Sequence, residues 1–230
     1  MKWHRELSMK SWVFNGWAAS PRAWSLCRSL EGARIFSYLE QLEGIPERAL
    51  AEEDGFILVG WSMGGSGALR LAMEFPGRVK GLVLVATTPR MMEERESGWR
   101  GMSLRRLDAL RRGLEMTNGE GFFGIPEGLP NPYQMSTAEE LELGLEYLRT
   151  TDLRDRLKAV FGGGKYDFPV HIFQSEKDGI VRSSNAVFLK EVFPRAAVTI
   201  VPGMEHALPI MIPGLIDSAV EAMKGEISGE

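Results

Sequence analysis

The sequence predicts an α/β fold in which helices cover both faces of a mostly parallel sheet. Short runs such as residues 56–59 and 79–86 are apolar throughout, and they alternate with segments of helical spacing. Strands without a polar side are typical of parallel sheets, because helices shield both of their faces from water. At 230 residues, of which 44% are hydrophobic, the chain is long enough to bury one substantial core.

The individual elements follow from runs of β-branched and aromatic residues and from the residues that end helices. Strands are expected, in chain order, at residues 12–14, 34–38, 56–59, 79–86, 169–174 and 198–201. Helices are expected around Ala23, Leu26 and Leu30, and at residues 66–75, 184–192 and 214–223. Pro76-Gly77 ends the helix at 66–75.

The strand pattern stops between residues 89 and 167, where Met-rich, Arg-rich and Glu-rich stretches take over. Helical spacing is clearest at 103–116 and 137–149, whereas 119–132 is rich in Gly and Pro and is expected to be irregular and mobile. We therefore expect a core of residues 1–88 and 168–230 with a short helical cap, residues 89–167, inserted into it.

Composition excludes several classes of function. The formal net charge is -4 and the pI is near 5.6, so the chain lacks the basic excess that attracts nucleic acids. Cys27 is the single cysteine, which excludes an internal disulfide. Cys27 is therefore expected to be a small residue of the core. No apolar run approaches the roughly 20 residues that cross a bilayer, and none resembles a signal peptide. A cytoplasmic monomer without membrane association is expected.

The pentapeptide Gly-Trp-Ser-Met-Gly at residues 60–64 matches the pattern G-x-S-x-G between a predicted strand and a predicted helix. This placement is typical of the nucleophile elbow of the α/β-hydrolase fold. Small residues must flank the serine because the turn is crowded, and Gly60, Gly64 and Gly65 meet that need. Ser62 is therefore the candidate nucleophile, and a glycine-rich turn with an incidental serine is the alternative.

A serine hydroxyl needs a neighbouring base, normally histidine, to become a nucleophile at neutral pH. His206 lies in the loop just after the last predicted strand, where this fold supplies its base. His4 precedes the first predicted strand, and His171 lies inside a predicted strand, where a structural role is favoured. His206 is the candidate base, with a solvated loop histidine as the alternative.

The third member of such a site is a carboxylate that orients the histidine and lies between serine and histidine in the chain. Asp178 fits best because it follows the strand that ends near Gln174 and precedes Gly179. Other acids remain open on spacing alone, namely Glu176, Asp167 and, from an earlier position, Asp152. Asp178 could also be a turn-forming aspartate without a chemical role.

An ester carbonyl needs two N–H donors for the oxyanion that forms during attack. One is expected from Met63, which follows the nucleophile, and the other from Trp17, in the loop after the first strand. The indole of Trp17 is also expected to wall the acyl pocket, unless it is only a packing aromatic. This chemistry requires no metal and no organic cofactor.

Several segments together resemble the BioH-type esterases, which hydrolyse the methyl ester of pimeloyl-acyl-carrier protein in biotin synthesis. The similar segments span most of the chain and lie at residues 15–17, 60–65, 82–86, 144–148, 151–154, 177–181 and 206–207. The resemblance implies an α/β-hydrolase fold, a serine carboxylesterase activity with Ser62, His206 and Asp178 as its triad, and an acyl-carrier protein as partner.

Two departures from that family concern substrate choice. Asn15 stands where these enzymes usually carry histidine, and Asn-Gly-Trp at this place is similar to BioG, another esterase type of the same pathway. The cap is shorter between the pair Phe122-Phe123 and Thr137, in the region that forms the acyl tunnel. Trp17, Phe122 and Phe123 are the expected substrate-binding residues.

Four arginines, Arg105, Arg106, Arg111 and Arg112, cluster on a predicted cap helix of an otherwise acidic chain. Acyl-carrier proteins are strongly acidic, so this cluster is expected to contact the carrier protein. A solvated helix face, balanced by acidic residues of the same helix, is the alternative.

Other functions are compatible with the same motifs. A general small-ester carboxylesterase, a lipase-like hydrolase and a MenH-like enzyme would use the same triad. A protein of this fold that binds a ligand without catalysis is the alternative from a different class.

Overall fold

The computed structural model describes residues 9–50, 55–117, 127–134 and 136–228. In these ranges six parallel strands form one sheet with the order β2-β1-β3-β4-β5-β6. The strands are β1 (Lys10–Phe14), β2 (Arg34–Phe36), β3 (Phe56–Trp61), β4 (Val79–Val85), β5 (Val170–Ser175) and β6 (Ala197–Val201). All six predicted strands are present.

The α-helices in the described ranges are α1 (Tyr38–Leu42), α2 (Ile45–Leu50), α3 (Met63–Glu74), α4 (Leu104–Thr117), α5 (Ala138–Thr150), α6 (Arg154–Phe161), α7 (Ser184–Val192), α8 (Leu208–Met211) and α9 (Pro213–Ser228). Side chains fix where α1 and α5 begin. Ser37 and Glu40 hydrogen-bond each other's backbone N–H at the start of α1, and Thr137 and Glu140 do the same at α5. These capping boxes satisfy N–H groups that a helix start leaves without partners.

The helix expected around Ala23, Leu26 and Leu30 is wrong. Two short 3-10 helices, Pro21–Trp24 and Arg28–Leu30, occupy this segment. Ser20 caps the first of them, and Cys27 between them is extended at φ -87° and ψ 102°, which breaks the helical path. A third 3-10 helix, Pro76–Arg78, follows α3, as the Pro-Gly signal predicts.

Alternate side chains of the central strands face two separate hydrophobic clusters. Leu58 of β3 packs in the cluster that contains buried residues of α3, α6 and α7. Ile57 and Val59 pack in the other cluster, with Ile216 and Val220 of α9. The predicted arrangement of helices on both faces of the sheet is therefore confirmed. None of the helices in the described ranges is long and apolar enough to span a bilayer.

The helices of the predicted cap pack in two different ways. Leu107 of α4 and Leu145 of α5 belong to the cluster that contains Trp17 and Trp61. By contrast, α6 packs with α3 in the cluster on the other face. The division into a core and a cap at 89–167 stays a prediction. Phe122 and Phe123 lie outside the described residues.

Charged side chains join the segment that follows β4 to the start of α6. Arg90 donates to Asp152 at 2.5 Å, and Arg154 donates to both Asp152 (2.7 Å) and Glu94 (2.8 Å). The Arg154 guanidinium lies 5.0 Å from the centre of the Trp99 ring. Burial raises the pKa of Asp152, but hydrogen bonds from Arg154 and Arg90 outweigh it and lower that pKa to about 2. Asp152 therefore connects the segment after β4 to the start of α6.

We expect the contribution of Asp152 to stability to fade in acid. Its pKa is about 2 in the folded chain against a usual 3.8, so the unfolded chain takes up the proton first as the pH falls. The stabilisation is then complete above about pH 5 and lost as the pH falls towards about 2. Asp152→Asn should lower the free energy of unfolding at pH 7 by only about 1 kcal/mol, because solvent screens a partly exposed ion pair.

Urea unfolding of both proteins, at several pH values from 7 down to the lowest at which they fold, measures this difference. Asp155→Asn, a change of an exposed aspartate of α6 outside this network, is the control. A cost of Asp152→Asn that does not shrink below about pH 4 would contradict the expectation.

Candidate active site

Ser62 lies at the turn between β3 and α3. Its backbone adopts φ 56° and ψ -123°, a conformation that residues other than glycine rarely adopt. Its N–H donates to the Val85 carbonyl at 2.9 Å, and its carbonyl accepts from Thr87 Oγ1 at 2.6 Å. These bonds fix the strained peptide to the end of β4.

Two glycines allow three backbone segments to meet at this turn. A Cβ on Gly60 would lie 2.5 Å from the Cα of Gly65, and a Cβ on Gly64 would collide with the carbonyl of Phe14 at the end of β1. The loop that follows β1 is equally close, since a Cβ on Gly16 would lie 3.2 Å from the Cβ of Ser62. Close backbone packing therefore brings the loop after β1 beside the serine.

The structure brings together the three side chains that the sequence analysis singled out. Ser62 Oγ lies 2.9 Å from His206 Nε2, and His206 Nδ1 lies 2.8 Å from Asp178 Oδ2. The His206 and Asp178 side chains are 5% and 0% exposed, so water hardly competes for these bonds. With its Nδ1–H donated to Asp178, the imidazole can accept the serine proton at Nε2.

The loop after β5 holds Asp178 in place. Its Oδ1 accepts from the backbone N–H groups of Ile180 (2.8 Å) and Val181 (2.9 Å), and its Oδ2 accepts from Gln174 Nε2 at 3.3 Å. The aspartate thus forms a turn and orients the histidine at the same time. The carboxylate of Asp178 thus makes both the bonds of a turn and the bond to His206, and its role in catalysis stays a prediction.

His206 has a further support that sequence reasoning missed. Trp61 Nε1 donates to the His206 carbonyl at 3.0 Å, and the two rings lie 5.6 Å apart. Trp61 is the variable residue before the serine in G-x-S-x-G, so the motif itself carries no signal for this contact. The same residue that ends β3 therefore positions the histidine.

The other candidates lie elsewhere. Glu176 Oε2 accepts from the Gly203 N–H at 3.1 Å, Asp167 is exposed, and Asp152 belongs to the network with Arg90 and Arg154. His171 lies inside β5, where burial lowers its pKa. His4 lies outside the described residues. None of the described alternatives is hydrogen-bonded to the Ser62 and His206 pair.

Two backbone N–H groups beside Ser62 are available to an oxyanion. Met63 is the first residue of α3, where helix N–H groups lack intrahelical partners and the helix dipole favours negative charge. Trp17 follows Gly16, at which a Cβ would lie 3.2 Å from the Cβ of Ser62. Neither N–H donates a hydrogen bond to another residue in the described ranges.

A narrow pocket opens on Ser62 and His206, with a free volume of about 30 Å³. It is lined by Gly16, Trp17, Trp61, Ser62, Met91, Leu107, Leu110, Tyr133, Leu148, Ile180 and His206. Burial and, secondly, the charge of Asp178 raise the pKa of Tyr133 well above its usual value. The Tyr133 hydroxyl that lines the pocket therefore stays neutral. The pocket suits an uncharged, apolar group.

The lining residues from the insertion were not named from the sequence. Leu107 and Leu110 are three positions apart on α4, a spacing that could have indicated a shared apolar face. Tyr133 lies between the segment expected to be irregular, 119–132, and the helix expected at 137–149, where no periodic pattern offers a comparable signal. The predicted lining by Phe122 and Phe123 lies outside the described residues and stays a prediction.

The four arginines of α4 differ in their surroundings. Arg111 forms an ion pair with Glu115 at 2.7 Å. Arg106 extends towards Gly179, so that a Cβ on Gly179 would lie 3.3 Å from Arg106 Nη2. Arg105 and Arg112 are exposed and, seven positions apart, share one helical face. Arg106 is exposed as well, so three of the four arginines are open to a partner within the described part of the chain.

Burial also determines the protonation state of the single cysteine. Cys27 is 4% exposed, and its Sγ lies 3.8 Å from the Pro209 carbonyl. Burial and, secondly, the charge of Asp217 raise the pKa of the thiol to about 12. The thiol therefore stays protonated and is a poor nucleophile.

Comparisons with known proteins agree with the fold. Residues 14–119 match the family model described as "alpha/beta hydrolase fold". The chain is 28% identical over 185 residues to the pimeloyl-[acyl-carrier protein] methyl ester esterase of Nitrosomonas europaea, covering 73% of this chain and 71% of that protein. It is 26% identical to the protein of the same name from Salmonella paratyphi A, covering 94% and 93% of the two chains.

Among solved structures, an esterase from Exiguobacterium antarcticum superimposes with a TM-score of 0.75 at 18% identity, covering 94% of this chain and 91% of that one. This likeness concerns the fold. Together with the six-stranded parallel sheet and the similarity to curated esterases, it confirms the fold predicted from the sequence. The chain therefore has the α/β-hydrolase fold, and over most of its length it is similar to curated proteins named esterases.

Proposed function

We propose that Ser62, His206 and Asp178 form the catalytic triad of a serine esterase. The observation that carries this proposal is the buried hydrogen-bonded chain from Ser62 Oγ through His206 to Asp178, at the end of an apolar pocket. Asp178 holds the imidazole in the tautomer that carries its proton on Nδ1 and stabilises the imidazolium that forms during attack.

In the first half of the reaction, His206 Nε2 takes the proton of Ser62 as Oγ attacks the ester carbonyl. The oxygen of the tetrahedral intermediate accepts hydrogen bonds from the N–H groups of Met63 and Trp17. Collapse of the intermediate breaks the bond to the alcohol oxygen, and His206 returns its proton to the leaving alcohol. The acyl group is then esterified to Ser62.

In the second half, His206 takes a proton from water as the water oxygen attacks the acyl-enzyme. The second tetrahedral intermediate expels Ser62 Oγ, which regains a proton from His206. A carboxylic acid leaves, and the enzyme returns to its starting state. The products are one alcohol and one acid, so the reaction balances without a cofactor.

The substrate we propose is the methyl ester of a pimeloyl group carried on acyl-carrier protein, with methanol as the leaving alcohol. Two observations support it besides the names of the curated relatives. The pocket walls are aliphatic and aromatic, which suits a methylene chain and a neutral ester. Arg105 and Arg112 present two exposed positive charges on the helix that also supplies pocket residues, which suits an acidic carrier.

A specific observation favours a second candidate, a carboxylesterase for small esters. The described pocket is narrow, with a free volume of about 30 Å³, so a small ester needs less rearrangement of its walls than a long acyl chain. Rates with free methyl esters of increasing acyl length, compared with the carrier-bound methyl ester, distinguish the two candidates. Hydrolysis of acetyl and butyryl esters at higher kcat/KM than the carrier-bound ester would favour the second.

Replacement of the proposed nucleophile gives the direct test. Ser62→Ala should lower hydrolysis of p-nitrophenyl butyrate by a factor of about 10³ or more and abolish labelling by a fluorophosphonate, because no other group can form the acyl-enzyme. Ser218→Ala, which removes an exposed hydroxyl of α9, is the matched control and should leave both unchanged. Retention of the wild-type rate by Ser62→Ala would refute the triad. A folded wild-type protein that neither hydrolyses the ester nor reacts with the fluorophosphonate would favour the alternative of a binding protein.

The carrier-protein contact is tested by charge reversal. Arg105→Glu and Arg112→Glu should each raise KM for the carrier-bound methyl ester by about threefold to tenfold at low salt, and less at high salt, because exposed charges steer association and are screened. Hydrolysis of a free methyl ester should not change. Arg28→Glu, on the 3-10 helix that precedes β2 at the opposite end of the strands, is the control.

An unchanged KM for the carrier-bound ester in both α4 variants would place the carrier contact on another surface. An equal change with the free methyl ester would show that the arginines act on the pocket instead.

A further inference from the structure

The loop that carries Trp17 is bonded on its outer side to the insertion. Trp17 Nε1 donates to the Leu141 carbonyl of α5 at 3.1 Å. Two backbone bonds join the next residues of the loop to the segment before α5. The Ser20 N–H donates to the Pro132 carbonyl at 2.8 Å, and the Gln134 N–H donates to the Ala18 carbonyl at 3.0 Å.

The loop needs these bonds because its backbone is strained. Ala18, the residue after Trp17, has a φ of 56°, which costs free energy for any residue with a side chain. Such a conformation persists only where surrounding contacts impose it. The bond from Gln134 to the Ala18 carbonyl acts on this very residue, so the insertion contributes to the shape of the loop.

Gly144 of α5 allows the helix to lie directly against the indole. A Cβ at this position would collide with Trp17 Cδ1, would lie 2.6 Å from Trp17 Nε1 and would lie 3.2 Å from Tyr38 Cδ2. Glycine inside a helix costs about 1 kcal/mol relative to alanine, so its presence needs a local reason. The close approach of α5 to Trp17 supplies that reason.

The inner side of the same loop is bonded to the core. Asn15 Oδ1 accepts from Trp24 Nε1 at 2.6 Å, the Asn15 N–H donates to the Phe36 carbonyl at 3.0 Å, and Gln41 Nε2 donates to the Asn15 carbonyl at 2.9 Å. Asn15 and Gln41 are both buried. The start of the loop is therefore fixed by the core, whereas its continuation through Trp17 is bonded to α5 and to the segment before α5.

We infer that α5 is a positioning element of the oxyanion site, in which Leu141 and Gly144 set the place of the Trp17 indole and thereby of the Trp17 N–H. This inference rests on the proposed function, because it concerns the N–H that would bind the oxyanion. An oxyanion donor acts on the transition state far more than on the bound ester. Displacement of α5 therefore changes kcat rather than KM.

Gly144→Ala tests this inference by pushing the indole away from α5. We expect kcat for p-nitrophenyl butyrate to fall about tenfold to 100-fold, since misplacement of a reacting group by about 1 Å costs up to that much, while KM changes less than about threefold. The inhibition constant of butylboronic acid, which forms a tetrahedral adduct with a nucleophilic serine, should rise in proportion to the fall in kcat/KM.

Gly225→Ala is the matched control, because it makes the same substitution in helix α9 where a Cβ would meet nothing within 4 Å. It should leave kcat and boronate inhibition unchanged. Trp17→Phe is the second variant, since it keeps the backbone N–H and removes the indole donor to Leu141. It should lower kcat about threefold to tenfold, and addition of Gly144→Ala to it should cost less than in the wild type, because the smaller ring lacks Nε1, one of the two indole atoms that the added Cβ would approach.

The outcomes separate this inference from the proposed function. Loss of activity in Ser62→Ala, together with wild-type kcat and boronate inhibition in a folded Gly144→Ala, would overturn the role of α5 and leave the triad intact. If Gly144→Ala does not fold, an unchanged kcat of Trp17→Phe overturns the inference, and a lowered kcat with a weakened boronate complex supports it. A rise in KM with constant kcat would also overturn it, because it would mean that α5 acts only on ester binding.

Discussion

Ser62 adopts a positive φ because three closely packed backbone segments constrain the conformation of its peptide. The end of β1, the end of β3 and the start of α3 approach so closely that Gly60 and Gly64 cannot carry a Cβ. The bonds to Val85 and Thr87 then fix the turn on β4. The strain of this one residue is balanced by the packing of the central sheet, so the serine hydroxyl is held at the end of the strands without freedom of its own.

A parallel sheet explains why residues so far apart in the chain meet at this serine. The carboxyl ends of parallel strands lie at one edge, and the loops that follow them converge there. The loop after β1 supplies Trp17, the turn after β3 supplies Ser62, the loop after β5 supplies Asp178 and the loop after β6 supplies His206. The strand order places β3 between β1 and β4, so the serine lies near the centre of this edge.

Helix α4 helps to exclude water from Ser62, His206 and Asp178. Leu107 and Leu110 of α4 lie over the pocket, and His206 and Asp178 are almost fully buried. Exclusion of water strengthens the bond between imidazole and carboxylate and favours a neutral substrate over a charged one. The ion pairs around Asp152 connect the segment after β4 to the start of α6, which fixes these two parts of the chain to each other.

Much of the fold could be predicted from the sequence, because apolar strands, a Pro-Gly stop and the G-x-S-x-G pattern are local signals. The order of serine, acid and histidine along the chain likewise singled out Ser62, Asp178 and His206, the same side chains that the structure places within hydrogen-bond distance. The helix expected near Leu26 was wrong because helical spacing alone does not reveal the extended Cys27 that breaks it.

Long-range contacts were beyond the reach of these local signals. The bond from Trp61 to the His206 carbonyl, the contact of Gly144 with the Trp17 indole and the pairing of Arg111 with Glu142 join segments that no spacing rule connects. The sequence by itself determined the sheet, the turn that carries the serine and the candidate triad, since these depend on neighbouring residues. Only the tertiary structure decided which arginines are open, what lines the pocket and how α5 meets the Trp17 loop, because packing between distant segments sets those distances.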